Sequence, residues 1–459
     1  MYKMDFNQPC HIHFIGIGGI SMSGLAEILL EEGFVVSGSD NQESDIVTSL
    51  RNNGAIITTQ QKAANITDDI DVCCYTAAIH EDNEEYQAVV QKGIPMLSRA
   101  QLLGQMMHNY ERAICIAGTH GKTTTTSMLS HILLKTELDP TISVGGMLDA
   151  IGGNIRVGGP EVFLTEACEY TNSFLSFFPT ISAILNVEED HMDFFKDIDD
   201  IRSSFQAFAK LLPDNGLLVI NGDIDKVSSI TKGSSCRIIT FGAGDRNDYT
   251  AANIEYNELG YCSYDLYHKD DCILHIDLSV GGEHNIYNSI AAVIIARELG
   301  ISDDAILSGL LSFTGTKRRF EYKGKMGEVT VIDDYAHHPT EIRATLDTAT
   351  RYPHNDTWVV FQPHTFSRTK AFLQEFADAL SLADHVVLAD IYAAREVDTG
   401  EVSSKDILTL LQKAQVDAYY FPTFKEIENF LLKKCKKNDL LITMGAGNVI
   451  LIGESLIND

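Results

Sequence analysis

The segment richest in chemistry is Gly118-Thr119-His120-Gly121-Lys122-Thr123-Thr124-Thr125-Thr126, which follows the apolar run Ala113-Ile114-Cys115-Ile116-Ala117. A glycine-bearing loop between a strand and a helix offers backbone N–H groups to phosphate oxygens. Its lysine can reach the β- and γ-phosphates and its hydroxyl can meet Mg²⁺. A full phosphate loop would carry glycine five positions before Gly121, where this chain has Ile116, so the spacing describes a shortened variant. Two acidic segments, Thr165-Glu166-Ala167-Cys168-Glu169 and Asn186-Val187-Glu188-Glu189-Asp190-His191-Met192-Asp193, each follow an apolar strand-like run. A carboxylate at the end of a strand beside a phosphate loop can reach nucleotide-bound Mg²⁺, which needs few protein ligands because it keeps its waters. Glu166 and His191 are the candidate ligands, set against readings as a helix-capping acid and a surface histidine.

An earlier glycine cluster, Gly16-x-Gly18-Gly19-x-Ser21-x-x-Gly24, puts Ser21 where a dinucleotide fingerprint has its third glycine. The turn still lets backbone N–H groups and a helix N-terminus meet a diphosphate, with Asp40 at the end of the next strand to face a ribose or base. Spacing does not separate NAD from a UDP-sugar. Asn285 and Asn288, in Gly282-Glu283-His284-Asn285-Ile286-Tyr287-Asn288, could read an adenine edge or serve as helix caps. Asp333-Asp334-Tyr335-Ala336-His337-His338-Pro339-Thr340-Glu341 ends a strand and opens a helix. It has no zinc spacing and reads as a substrate loop. In so acidic a chain the cations Lys317-Arg318-Arg319 and Arg368 stand out as carboxylate or phosphate contacts.

The elements that must hold these residues alternate between strand and helix. His11–Ile15, Phe34–Asp40, Ala55–Ile57, Val72–Tyr75, Ala113–Ala117, Val162–Thr165, Ile181–Leu185, Val329–Ile332, Thr357–Phe361, His385–Leu388 and Leu440–Thr443 read as strands. Helices are expected at Ser21–Glu32, Glu84–Lys92, Asn285–Leu299, Thr340–Thr350, Ser367–Leu380 and Lys425–Lys434, and short strands and turns over Arg237–Leu278. That rhythm predicts α/β architecture with parallel sheets. At 459 residues, about three domains are expected, with boundaries near 107 and 317. A net charge of −29 disfavours nucleic acid and an anionic membrane surface as partners. No apolar run is long enough to span a bilayer, no signal peptide is expected, and nine scattered cysteines fit reduced thiols in a cytoplasm.

In order, these segments resemble the Mur ligase family over essentially the whole chain: His13–Gly19, Ala117–Thr126, Asp190–Asp193, Phe313–Gly315 with Arg318–Phe320, Asp334–Glu341, Phe361–His364 and Gly445–Asn448. The resemblance implies an ATP-dependent ligase of peptidoglycan precursor synthesis that joins L-alanine to UDP-N-acetylmuramate. A Rossmann-like domain (1–107) would take the sugar nucleotide through Gly16, Gly18, Gly19, Ser39, Asp40, Thr76 and Ser98. A central P-loop-type ATPase domain (108–317) would bind ATP through Gly118, Thr119, His120, Gly121, Lys122, Thr123, Thr124, Asn285 and Asn288. It would hold two Mg²⁺ through Thr123, Glu166 and His191. A Rossmann-like C-terminal domain (318–459) would add Arg319 and Asp334 to the nucleotide site, and Tyr335, His337 and Arg368 near the amino acid. Lys122, His191, His337 and Arg368 would be catalytic. Three features depart from the family pattern: Cys168 stands where many relatives carry an acid, Phe205-Gln206 near where other members place a carbamylated lysine, and Thr365 follows His364 where some relatives have arginine. The alternatives are a recycling ligase that adds a preformed tripeptide to the same sugar nucleotide and, in another class, a nicotinamide-dependent dehydrogenase. Monomer and dimer are equally compatible with the sequence.

Overall fold

A computed structural model describes residues 2–76, 78–394 and 396–458. The chain forms two compact units: Met1–Val187 with Arg202–Phe241 and Ala291–Gly309, and Glu188–Ile201 with Gly242–Ile290 and Leu310–Asp459.

The first unit opens with five parallel strands, β1 (His11–Ile15), β2 (Val35–Ser39), β3 (Ile56–Thr58), β4 (Val72–Tyr75) and β5 (Met96–Ser98), in the order β3-β2-β1-β4-β5. The order reverses between β1 and β4, so the glycine turn after β1 lies at the topological switch point, where such sheets bind ligands. The helix Ile20–Glu31 leaves that turn. A Cβ on its Gly24 would lie 2.1 Å from Ile155 Cγ1, so this glycine serves close packing. Seven more strands follow: β6 (Arg112–Ala117), β7 (Thr141–Leu148), β8 (Gly153–Arg156), β9 (Val162–Ala167), β10 (Ile181–Ile184), β11 (Leu217–Asn221) and β12 (Arg237–Phe241). They run β12-β11-β10-β6-β9-β7-β8, parallel except for the β7–β8 hairpin. β6 and β9 are neighbours in the register Ile116↔Glu166, so the phosphate-loop strand and the acid at the end of β9 finish side by side.

The second unit carries the antiparallel meander β13 (Tyr249–Tyr256), β14 (Tyr261–His268) and β15 (Asp271–Gly281). Its main sheet is β16 (Glu321–Met326), β17 (Val329–Asp334), β18 (Thr357–Phe361), β19 (His385–Leu388), β20 (Asp417–Tyr420) and β21 (Leu440–Met444), in the order β16-β17-β21-β18-β19-β20. Alternation divides its core between two faces. Ile332, Val359 and Ile442 pack with Phe376 and Leu380 on one, while Val331, Val360 and Leu441 pack with Trp358 and Ile452 on the other. Each such side chain contributes about 1.5–3 kcal/mol on burial, which is why these strands read as continuous apolar runs.

Two expectations about elements change. Arg237–Leu278 holds long strands, β15 alone having 11 residues, rather than short ones. The helix expected over Ser367–Leu380 is two helices, Phe366–Ala371 and Leu373–Leu380, broken at Phe372, whose ring packs edge-on against His338 and Phe376.

Candidate functional site

The first unit gathers the phosphate-loop chemistry. The helix Lys122–Leu133 begins after Gly121, whose φ of 83° is a left-handed conformation that costs glycine little, and no side chain caps this N-terminus. The first-turn N–H groups of a helix have no intrahelical partner, and here the macrodipole adds positive potential, so the position suits a phosphate. The loop is clamped by Asn186: Thr119 N donates to its backbone oxygen (3.2 Å), His120 N to its Oδ1 (2.7 Å), and its Nδ2 to His120 O (3.1 Å). Lys122 Nζ donates to Gly118 O (2.5 Å), Thr119 O (3.0 Å) and Glu169 Oε2 (3.1 Å). Burial pulls the Lys122 ammonium down, but the Glu169 charge and hydrogen bond, with Cys168 and Glu166, together outweigh it and hold the group well above the ordinary lysine range. Thr123 Oγ1 donates to Glu166 Oε2 at 3.0 Å, and Gly145 N to Glu166 Oε1 at 2.5 Å. Hydroxyl and carboxylate thus converge as hard oxygen donors of the kind magnesium takes. Burial pushes the Cys168 thiol up, which keeps it protonated and unlike a metal-binding thiolate. Phe205 is buried edge-on against Phe174, and Gln206 donates to Ser229 O and Lys232 O, so neither resembles a carbamylated lysine.

At the first glycine turn, Gly16 N and Ile17 N donate to Ser39 O, and Gly18 N donates to Asp40 Oδ2 at 2.8 Å. Gly19 is the N-cap residue of the helix that follows, which has no side-chain cap. Thr76, at the end of β4, crowds Gly16, where a Cβ would lie 2.7 Å from its Cγ2. Two expected ligand contacts have internal roles. The Ser39 hydroxyl is fully buried and donates to Glu85 Oε2, and Ser98 caps the helix Arg99–Met107 in a reciprocal pair with Gln101.

The second unit assembles the amino-acid candidates. Arg368 donates from Nε (3.2 Å) and Nη2 (2.8 Å) to Asp190 Oδ1, while its Nη1 lies 3.3 Å from His364 Nδ1. His337 Nδ1 lies 2.9 Å from Tyr335 O and 3.2 Å from Glu341 Oε2. The guanidinium carbons of Arg318 and Arg319 lie 4.9 and 5.4 Å from the centre of the Tyr335 ring. Asp334 accepts from Phe320 N (2.9 Å) and Ala336 N (2.7 Å). Three of the chain's positive-φ residues lie here, with φ 54° at His191, 61° at Arg318 and 68° at Thr365, each costing about 1–3 kcal/mol. His191 is tied to its neighbour, its N–H donating to Asp190 Oδ1 at 2.7 Å. Asn285 and Asn288 are buried, tied to each other and to Gly281 O, and lie inside the helix His284–Glu298 rather than at its N-cap position. Sequence reasoning gave no role to Glu169, Asn186, Asp190, Glu341 or His364, although each stands inside a motif already singled out.

Burial pushes Asp334 up to about 6 and pulls His337 down to about 4. Their effects on stability oppose each other. Unfolded histidine takes its proton near pH 6.5 while folded His337 does not, so its contribution falls as pH drops from 6.5 towards 4. Unfolded aspartate loses its proton near pH 3.8 while folded Asp334 keeps it, so that contribution falls as pH rises from 3.8 to 6. The native chain is therefore expected to show little net slope from this pair between pH 4.5 and 6. Asp334→Asn should leave stability rising with pH, and His337→Gln should leave it falling, each by about 1.4 kcal/mol per pH unit. Urea midpoints at several pH values check this; parallel profiles for both variants would contradict it.

Family models match the chain in three segments: Mur ligase family, catalytic domain, over residues 11–111; Mur ligase middle domain, over 116–296; and Mur ligase, glutamate ligase domain, over 318–447. Among curated relatives, a UDP-N-acetylmuramate–L-alanine ligase of Lachnospira eligens is 58% identical and one of Agathobacter rectalis 57%, each alignment covering 100% of both chains. Among solved structures, the UDP-N-acetylmuramate-alanine ligase of Thermotoga maritima superposes with a TM-score of 0.79 at 29% identity, covering 98% of each chain. A murein peptide ligase of Psychrobacter arcticus shares the fold, with a TM-score of 0.70 at 24% identity over 98% of each chain.

Proposed function

This chain belongs to the Mur ligase family, and from that premise we propose that it joins L-alanine to the carboxylate of UDP-N-acetylmuramate, consuming ATP and supplying a peptidoglycan precursor in the cytoplasm. The observation that carries the reading is the full-length identity to relatives of that name. Of the two alternatives, the dehydrogenase does not fit the family, and the tripeptide-adding ligase is the more distant likeness.

A carboxylate does not acylate an amine at neutral pH, because its leaving group would be an oxide. Transfer of the γ-phosphoryl group to the muramate carboxylate gives an acyl phosphate and ADP. The alanine amine then attacks the acyl carbon, and phosphate leaves. The first step brings two anions together, so placed positive charge dominates catalysis. In this reading Gly118, Thr119, His120, Gly121 and Thr124 form the phosphate cradle, and Lys122 leaves its loop carbonyls to meet the phosphates. Asn285, Asn288, Arg319 and Asp334 serve the nucleotide. Thr123 and Glu166 fit one magnesium ion, with His191 proposed for a second. When bound, magnesium supplies further neutralisation of phosphate charge. Gly16, Gly18, Gly19, Asp40 and Thr76 serve the sugar nucleotide, with Ser39 and Ser98 acting through the backbone they fix. Tyr335 and Arg368 hold the amino acid. His337, neutral at pH 7, accepts the amine's proton. Residues 1–107, 108–317 and 318–459 are the three domains of this scheme.

The test is phosphate release with ATP, Mg²⁺, UDP-N-acetylmuramate and each amino acid in turn. Dependence on L-alanine is expected, and release indifferent to it would overturn the reading. Gly145→Ala probes the metal pair more locally. Its Cβ would lie 3.0–3.2 Å from the Glu166 carboxylate, displacing it from Thr123. Half-saturation in Mg²⁺ is expected to rise about tenfold, the scale of a disturbed ligand-supporting contact. An unchanged Mg²⁺ titration would remove Glu166 from the site.

A further inference from the structure

We propose that Glu341 is a positioning residue for this reaction, fixing the tautomer and direction of His337 and tying that imidazole to the Arg319 guanidinium. The proposal rests on the reading above, in which the alanine amine gives its proton to His337.

Glu341 is the third residue of the helix Pro339–Thr350, and its side chain is only 12% exposed. Oε2 accepts the backbone N–H of His337 at 3.0 Å and lies 3.2 Å from that residue's Nδ1. Oε1 lies 3.5 Å from Arg319 Nη1. One carboxylate therefore touches the proposed proton acceptor at two atoms and the proposed nucleotide arginine at a third.

An acid at this helical position has an ordinary explanation, the capping box, in which the third residue's side chain bonds the N-cap backbone N–H. The register here differs. The N-cap residue is His338, and its own side chain accepts from Thr340 N at 3.3 Å. Glu341 reaches past it to the N–H of His337, outside the helix. The contact thus acts on the loop that carries the imidazole.

Its chemical consequence follows from the acceptors around Nδ1. Tyr335 O and Glu341 Oε2 can only accept, so Nδ1 carries the hydrogen and Nε2 the lone pair. A base needs that lone pair directed at the amine. Tyr335 O alone would leave the ring a freer pivot, whereas the carboxylate fixes it from a second side and favours the imidazolium formed when the proton arrives. The other groups around the ring are Tyr335 and His364, with ring centres 5.3 and 5.7 Å away, and the charges of Arg368 and Asp190. Arg368 opposes protonation, while Asp190 and Glu341 favour it.

Glu341→Gln keeps the shape and an acceptor but removes the charge. Steady-state rates are measured for native protein, Glu341→Gln, His337→Gln and the double variant, with L-alanine, ATP and UDP-N-acetylmuramate varied separately from pH 3.5 to 9. In Glu341→Gln, kcat/KM for L-alanine is expected to fall about tenfold or more. The acid limb of its profile should move about one unit lower, and KM for ATP and the sugar nucleotide should change less than about twofold. In the His337→Gln background the same change should have little further effect. A native acid limb in Glu341→Gln, equal losses for all three substrates, or additive losses in the double variant would overturn the proposal. Native protein whose phosphate release ignores L-alanine would instead overturn the proposed function, so the two failures are distinguishable.

Discussion

Lys122→Met is expected to abolish most ATP-dependent phosphate release and to destabilise the first unit, and the two losses should separate when Glu169→Gln is added. The Lys122 ammonium is 15% exposed and the Glu169 carboxylate 3%, so this is a largely desolvated ion pair. Removing the cation leaves a buried carboxylate stripped of that charge, a change that costs about 3–5 kcal/mol in comparable pairs. Gly118 O and Thr119 O lose the same donor. Replacing both members by neutral side chains of similar volume is often close to neutral for stability, so the double variant should recover most of the lost urea resistance. Its activity should not recover. The proposed task of Lys122 is to neutralise charge on the transferring phosphoryl group, and loss of one such preorganised contact lowers kcat by about 10²–10³-fold. Urea unfolding and phosphate-release rates on both variants decide the matter. Native activity in Lys122→Met, or a double variant as unstable as the single one, would contradict the assignment.

Much of the fold was legible because its strands are buried on both faces. β1, β4, β6, β17, β18 and β21 are apolar runs closed by a glycine, an acid or a polar cluster, a strong signal for parallel strands under helices. Elements governed by other signals were missed. The helix Arg99–Met107 announces itself through Ser98 and Gln101, a capping box that hydrophobic periodicity does not report. The meander β13–β15 mixes buried and exposed positions with two register shifts in its β14–β15 ladder, and in sequence such irregular alternation resembles a series of short strands.

The site was legible by residue type and much less by partnership. Lys122, Thr123 and Glu166 could be picked out because phosphate and magnesium chemistry demands those groups after a strand. That Lys122 would rest on Glu169, 47 residues away, depends on β6 and β9 being neighbours, which sheet order decides and local sequence does not. The same holds for Asp190 and Arg368, which are 178 residues apart. Ser39 shows the same limit from the other side. It sits at the expected end of β2, but its hydroxyl turns inward to Glu85, because alternation along the strand puts it on the face under the helix Glu84–Lys92. Strand position was readable, and side-chain direction needed the register.

Arg368→Ala is expected to cost both amino-acid use and acid-dependent stability, and its pH dependence provides the sharper test. Burial pushes the Asp190 carboxyl up, but the Arg368 charge and hydrogen bonds, with the charges of His191 and His337, together outweigh burial and hold the group well below the usual carboxylate range. The sign follows. Folded Asp190 releases its proton more readily than unfolded aspartate, so its contribution is full above about pH 4 and is lost as pH falls through its folded value. Without Arg368 the burial remains and the main opposing charge is gone, so the carboxyl moves upward and the contribution reverses. The variant should therefore be about 3–5 kcal/mol less stable than native protein at pH 7. The gap should narrow as pH falls from the variant's raised carboxyl value, above about 4, towards the depressed native one, because the unfolded state is common to both. Arg368→Lys should restore part of the charge but not the geometry, because the guanidinium donates to Asp190 through two nitrogens and faces His364 with a third, which a single ammonium cannot reproduce. In both variants kcat/KM for L-alanine is expected to fall, by about 10²-fold or more in Arg368→Ala, the scale of a lost buried charged hydrogen bond. A stability gap that stays constant from pH 7 to pH 3 would mean that Arg368 does not hold Asp190 ionised, and an unchanged kcat/KM for L-alanine would take this arginine out of the amino-acid site.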